Sequence, residues 1–96
     1  MVPEMLRFRS LLEENNIEWI DKSDEGFIDR THFNYRNYFF SVVNGLGTYG
    51  GINVLNGKNM GMLELMSNCV NGGEPIGYLT SDEAIEIVLG GNDDSL

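Results

Sequence analysis

The sequence has one cysteine and no long apolar run, and each of these properties excludes a class of protein. Among the 96 residues Cys69 is the only cysteine, which excludes an internal disulfide and a thiolate metal cluster. No apolar run approaches the length of about twenty residues that a membrane helix needs. The amino terminus also lacks the positively charged segment followed by an apolar segment that is typical of a secretory signal peptide. We therefore expect a cytoplasmic protein with no membrane partner.

Basic residues are scarce as well, and their placement is uneven. Fifteen acids oppose six bases, which gives a net charge of −9. All six bases precede residue 59, whereas residues 59–96 contain seven acids and no base. Because contacts to a phosphate backbone need clustered Lys and Arg, direct nucleic-acid binding is disfavoured. The acidic half is explained either by solubility or by a basic protein partner.

The length and composition bound the organisation of the chain. Ninety-six residues with 42% hydrophobic content make one hydrophobic core and no more. We predict a single domain over residues 1–91 and a flexible tail over residues 92–96. A domain of this size has a small margin of stability, so we also expect it to form a homo-oligomer.

Hydrophobic periodicity predicts an α+β fold, a small antiparallel β-meander with about three helices packed on it. Amphipathic spacing predicts helices over residues 3–15 and 60–68, and a capping box of Thr80 and Glu83 begins a third. Alternation and β-rich composition predict strands over residues 17–20, 27–33, 38–43, 48–55 and 76–79. In the strand 27–33, Arg30 and His32 fall on one side and Thr31 and Phe33 on the other.

Glycines 45, 47 and 50 in "NGLGTYGG" match the dinucleotide fingerprint G-x-G-x-x-G, but the context excludes that function. A dinucleotide loop must lead into a helix whose amino terminus faces pyrophosphate, and the residues after Gly50 are strand-like. Gly45 and Gly47 instead suit a tight hairpin between strands 38–43 and 48–55. The pair Gly50 and Gly51 indicates either a β-bulge or a surface where a ligand or a second chain meets bare backbone.

Few residues offer catalytic chemistry. His32 is the only histidine, and neither it nor Cys69 stands in a recognisable nucleophile motif. The sequence has no His/Cys cluster and no EF-hand loop, so no metal and no cofactor is expected. We therefore expect a protein that is not an enzyme.

A binding function has better support. Two of the six bases, Arg30 and Arg36, lie within seven residues of each other together with the only histidine, His32, and next to tyrosines. Arginines beside aromatic rings and free backbone N–H groups suit an anion or a nucleotide, although Arg30 and Arg36 could simply neutralise nearby acids. The predicted ligand site comprises Arg30, His32, Arg36, Tyr38, Tyr49, Gly50, Gly51, Asn53 and Lys58.

Four segments, "IDRTHF" (28–33), "NGLGTYGG" (44–51), "GMLELM" (61–66) and "NGGEPIGYLTSDEAIEIV" (71–88), resemble short uncharacterised proteins encoded by phages and prophages. The resemblance covers most of the chain and implies a counter-defence role in an infected bacterial host. Small acidic phage proteins of this kind are similar to two classes. One class sequesters nucleotide signals of bacterial immunity as an oligomeric sponge, and the other blocks a defence nuclease, often by imitating DNA.

Three functions follow as expectations. The first is a non-enzymatic binding protein that sequesters a nucleotide-derived immune signal at the predicted site. The second is an acidic inhibitor that meets a basic host defence nuclease through Glu64, Asp82, Glu83 and Glu86. The third is a phage accessory or structural protein with no small ligand.

Overall fold

The strands follow one another in chain order, as a meander requires. The computed structural model describes residues 1–90, and in it five strands pair antiparallel in the order β1-β2-β3-β4-β5. The strands are β1 (Trp19–Asp21), β2 (Ile28–Tyr35), β3 (Tyr38–Gly45), β4 (Leu63–Ser67) and β5 (Ile76–Leu79). The prediction of an antiparallel α+β fold is confirmed. Gly91 and the predicted tail lie outside the described residues.

The two α-helices carry the start signals that the sequence predicts. Helix α1 (Pro3–Glu14) has its proline in the first turn, and its buried Met5, Phe8 and Leu12 have the spacing of one helix face. Helix α2 (Ser81–Leu89) begins at the predicted capping box, in which the Glu83 N–H donates to Thr80 Oγ1 and the Thr80 N–H donates to Glu83 Oε1.

Alternating burial gives the sheet one face under the helices and one face without them. Thr31 and Phe33 on β2 are buried with Phe40 and Val42 on β3, and they join the helices in one core. Side chains of the opposite parity point away from the helices. We call this second surface the open face, and it contains Ile20, Arg30, His32, Phe39, Ser41, Val43, Glu64 and Met66.

The predicted helix over residues 60–68 is wrong, because Leu63–Ser67 forms strand β4. Leu63, Leu65 and Ser67 are buried whereas Glu64 and Met66 are less so, which is a period of two. The apolar residues of this segment fit both periods, and pairing with β3 and β5 selects the strand. Within the described residues the count is therefore two α-helices, with a single 3₁₀ turn at Asn71–Gly73, rather than about three helices.

The predicted strand over residues 48–55 is also wrong. Residues 46–62, which we call the long loop, contain only isolated bridges, between Leu46 and Ile52 and between Ile52 and Asn59. The loop folds back because the Ile52 N–H donates to the carbonyl of Gly45 at 2.8 Å. Since β3 is already paired with β2 and β4, no place remains beside it for a strand of these residues.

A pair of amides, the buried Asn44 and the exposed Asn59, holds the long loop against the sheet. Asn44, at the end of β3, is 1% exposed and donates through Nδ2 to Asn59 Oδ1 at 3.0 Å and to the Met62 carbonyl at 2.8 Å. Asn59 Nδ2 returns a bond to Asn44 Oδ1 at 2.8 Å. A buried asparagine needs such partners, because an unsatisfied amide is costly away from water.

Candidate functional site

Arg30 and His32 lie side by side on the open face, two residues apart on β2. Across the sheet His32 is flanked by Ile20 on β1 and Ser41 on β3. Its imidazole meets the ring of Phe39 edge-on, with the ring centroids 4.9 Å apart. Phe39 is exposed and His32 is half-buried, so the two rings form an aromatic pair on the same sheet face as Arg30.

Basic groups dominate the electrostatics of this part of the open face. The pKa of His32 is lowered from its ordinary value, first by burial and then by the charges of Arg30 and Lys22. The imidazole is therefore neutral at pH 7. Lowering by two neighbouring cations means that a positive potential acts at His32, although the chain as a whole carries −9. An anion bound here would meet favourable charge.

Arg30 is only loosely held by protein groups. Its Nη1 donates to the Lys22 carbonyl and to Asp24 Oδ2, both at 3.4 Å, and its side chain is 29% exposed. These distances are long for charge-assisted hydrogen bonds, which are usually nearer 2.7–2.9 Å. The guanidinium can therefore turn toward a ligand at small cost.

Two other predicted ligand residues lie at the tip of the β2–β3 hairpin. Arg36 occupies the turn, where its guanidinium lies 5.2 Å from the centroid of the Tyr35 ring, and Tyr38 begins β3. The opposite end of the hairpin is the pair Ile28 and Gly45. A strand rises about 3.3 Å per residue, so more than about 20 Å separates the two ends. Arg36 and the long loop therefore do not contact one small ligand within a single copy.

The remaining five predicted residues all lie in the long loop, which follows β3 in the chain: Tyr49, Gly50, Gly51, Asn53 and Lys58. The Tyr49 N–H donates to Glu64 Oε1 at 2.7 Å, and its ring stacks on Tyr78 with centroids 6.4 Å apart. Asn53 and Lys58 close a turn on each other, because the Asn53 N–H donates to the Lys58 carbonyl at 2.9 Å.

Gly50 and Gly51 owe their identity to contacts within the chain. Both are buried. Gly50 has φ +98° and packs its Cα against Met62 and Tyr78, and any side chain at Gly51 would overlap Thr48 Oγ1 and the Gly45 carbonyl. Glycine is the residue that permits both the positive φ and the close approach. Contacts within the chain therefore account for both glycines, and no ligand is needed to explain them.

Arg9 is a buried cation that the sequence pattern did not single out. It lies on α1, is 8% exposed, and donates to Thr31 Oγ1 at 2.7 Å, to Asp21 Oδ1 at 3.2 Å and to the Arg30 carbonyl at 3.2 Å. Its guanidinium also lies 4.4 Å from the Trp19 ring centroid. A polar residue on the buried side of an amphipathic helix was the available signal, because Arg9 lies four residues after Met5 and three before Leu12.

We call the surface formed by α1 and α2 the helical side, and several exposed carboxylates lie on it. Glu13 and Glu14 end α1, while Asp82, Glu83 and Glu86 lie on α2, and all five are exposed. Arg7 on α1 is already paired with Asp82 at 2.8 Å. A hollow of about 610 Å³ near the end of α1 is likewise bordered by Glu13 and Glu18. The helical side and the open face therefore differ in charge.

The arrangement offers little for catalysis or for metals. Cys69 packs against the core with its sulfur 3.2 Å from the Ser67 hydroxyl oxygen, whereas His32 faces away from that core. Within residues 1–90 no group of three or more His, Cys, Asp or Glu side chains is placed to hold a metal ion. No helix in the same range has the length and apolarity to cross a membrane.

Comparisons with known proteins add no identity to this geometry. The chain matches no protein-family model, and no similar curated protein or solved structure was found. The fold and its surfaces are therefore the basis for a functional assignment.

Proposed function

We propose that this protein is a non-catalytic binding protein that captures an anionic, nucleotide-type ligand on the open face of its sheet. One observation carries the proposal: Arg30 and Lys22 place positive charge beside the neutral His32 and the exposed ring of Phe39, in a chain of net charge −9. A chain with this net charge repels anions over most of its surface, so a local positive region is where an anion would bind.

Each side chain has a distinct role in this proposal. Arg30 supplies a forked set of donors that suits a phosphate, and its present bonds at 3.4 Å are readily exchanged. Phe39, with His32 edge-on against it, supplies the surface on which a base stacks. The neutral His32 can donate one N–H to the ligand or accept a proton when a phosphate approaches.

The biological role follows from the resemblance to phage proteins. A binding protein without catalytic groups removes its ligand from solution by stoichiometric capture, so we propose that it sequesters a nucleotide-derived signal of bacterial immunity. The open face covers only one side of such a ligand, and a homo-oligomer would cover it better. A single small ligand cannot contact both Arg36 and the long loop within one copy, so a second copy would have to supply one of the two.

The test compares two arginines. Wild-type protein is titrated with a panel of nucleotides and cyclic oligonucleotides by calorimetry, together with Arg30→Ala and Arg7→Ala. Arg7 is the matched control, because it is an exposed arginine paired with an acid on the helical side. We expect Arg30→Ala to weaken binding at least about tenfold, as loss of a charged hydrogen bond does, and Arg7→Ala to leave it unchanged. Equal affinity of Arg30→Ala and wild type would overturn the site.

The second candidate function is inhibition of a basic protein, and it is favoured by the carboxylates on the helical side. Long-range attraction between opposite charges speeds association and weakens as salt rises. Neutralising Asp82, Glu83 and Glu86 to their amides should abolish binding to a basic nuclease and leave nucleotide binding intact. A partner that binds this variant as well as wild type would remove the second function.

A further inference from the structure

The long loop is exposed, apolar and almost uncharged. Residues 46–62 contain a single charged residue, Lys58, in a chain with fifteen acids. Val54 is 71% exposed, Leu55 is 92% exposed and Met60 is 57% exposed. Phe27 and Leu46 are also exposed, and the Leu46 N–H donates to the Phe27 carbonyl at 3.2 Å. A group of exposed apolar side chains of this kind usually marks an interaction site.

The tip that carries Val54 and Leu55 is held in one shape. The Gly57 N–H donates to the Asn53 carbonyl at 2.8 Å, which closes the turn. Two asparagine side chains brace it, since Asn53 Oδ1 accepts the Leu55 N–H at 2.8 Å and Asn56 Oδ1 accepts the Lys58 N–H at 2.9 Å. Leu55 is therefore presented to solvent on an ordered turn, so little entropy is lost when it is buried against a partner.

A hollow lies beside this tip on the same loop. Its volume is about 210 Å³, and its lining includes Gly47, Gly50, Gly51, Met60 and Tyr78. Tyr78 forms one wall while its backbone is held at φ +58°, which is uncommon for a residue with a side chain. The Tyr78 N–H donates to the Tyr49 carbonyl at 3.2 Å and fixes that wall.

We propose that the long loop is a self-association surface, in which Leu55 of each copy enters the Gly50–Tyr78 hollow of a second copy. A projecting side chain and a hollow on one surface are what a two-fold symmetric contact requires, because both partners then give and receive the same group. The distribution of charge also favours a second copy of this chain as the partner. Two copies of net charge −9 repel, and the long loop lets them meet without opposing carboxylates.

The area available is adequate for a modest dimer. If a large side chain exposes about 150–250 Å² when free, then Phe27, Leu46, Val54, Leu55 and Met60 together offer roughly 600 Å² at their observed exposures. A standard interface buries about 800 Å² per partner, and the polar rim of the loop supplies the remainder. This contact lies beyond one end of the β2–β3 hairpin and does not depend on a ligand at Arg30.

The experiment measures the oligomeric state by sedimentation velocity over a concentration series, for wild type, Leu55→Glu and Leu6→Glu. Leu6 is the matched control, since it is a leucine 55% exposed on α1 and the substitution adds the same charge. We expect wild type and Leu6→Glu to dimerise alike. Leu55→Glu should raise the dimer dissociation constant at least about 100-fold, because every dimer loses two buried leucines.

Salt and the Arg30→Ala variant separate this contact from the alternatives. Screening weakens the repulsion between acidic copies, so added salt should strengthen the wild-type dimer. Arg30→Ala should dimerise normally even if it binds no nucleotide. A wild-type monomer at every concentration, a dimer that persists in Leu55→Glu, or a dimer lost equally in Leu6→Glu would each overturn the proposal. Circular dichroism of each variant establishes that it is folded.

Discussion

The carboxylate of Glu4 accepts the backbone N–H of Ser81 at 2.6 Å and thereby joins the first turn of α1 to the first turn of α2. The two residues are 77 positions apart in the chain. Helix α2 begins with four N–H groups that have no partner within the helix, and the capping box satisfies only part of them. A negative charge at the amino end of a helix is also favoured by the helix dipole.

Replacing Glu4 with Gln should lower the free energy of unfolding by about 0.5–1 kcal/mol at pH 7, as expected for a charge at a helix amino terminus. Ser81 lowers the pKa of the Glu4 carboxyl, first through its nearby hydroxyl and then through its N–H. A lowered folded-state pKa means that this stability is present at neutral pH and is lost as the pH falls below 4.5. Urea unfolding at several pH values measures it. Glu14→Gln, at an exposed position of the same helix, is the control.

Acidification through the range just below pH 6.5 should destabilise the protein because of His32. Its folded-state pKa lies below the ordinary 6.5, so between those two values the unfolded chain binds more protons and stability rises with pH. His32→Gln should flatten the dependence in this range and leave the acid limb below 4.5 unchanged. Thermal denaturation from pH 5 to pH 8 tests it. A wild-type curve that is flat from pH 5 to 6.5 would contradict the burial of a neutral imidazole.

Replacing Arg9 with Ala should lower the free energy of unfolding by about 2–4 kcal/mol. The change removes three hydrogen bonds and leaves the buried Thr31 hydroxyl without its donor. Trp19, the only tryptophan, lies against the guanidinium and reports the change through its fluorescence. Arg7→Ala should cost much less, because its pair with Asp82 is exposed to solvent. If Arg9→Ala and Arg7→Ala lowered the free energy of unfolding by similar amounts, the buried contacts of Arg9 would not contribute to stability.

The Asn44–Asn59 amide pair should show strong energetic coupling. Asn59→Ala removes the donor to the buried Asn44 Oδ1, which we expect to lower the free energy of unfolding by about 1–3 kcal/mol, whereas Asn44→Ala removes the buried amide itself and leaves the exposed Asn59 amide to water. The double variant should cost less than the sum by more than about 0.5 kcal/mol. Urea unfolding provides the four free energies of the cycle. Hydrogen exchange should rise most in the long loop, and additive costs would mean that the two amides act independently.

The elements that sequence reasoning predicted well have local causes. Pro3 and the spacing of Met5, Phe8 and Leu12 specify α1, and the Thr80–Glu83 capping box specifies the start of α2. The β2–β3 hairpin follows from alternation along residues 27–33, the β-rich run over residues 38–43 and a tight turn at Arg36. In each case the residues that decide the structure are close together in the chain.

The elements that were predicted wrongly depend on distant partners. Residues 63–67 become a strand because β3 and β5 pair with them, although their apolar spacing also fits a helix. The long loop depends on the Asn44–Asn59 pair and on the close approach of Gly51 to Gly45, neither of which has a sequence signature. For the candidate site, alternation placed Arg30 and His32 together, but the placement of Tyr49 and Lys58 beside them depended on a strand over residues 48–55 that does not form.

The joining of α1 to α2 has a consequence for the order of synthesis. Helix α1 leaves the ribosome first, yet its contacts with Ser81 and Asp82 involve residues translated after all five strands. Until α2 emerges, the nascent sheet has Phe40 and Leu65 on a half-covered face, where a chaperone can bind. The core is therefore closed only when α2 packs, and a chain truncated after β5 should bind a chaperone more strongly than a chain that includes α2.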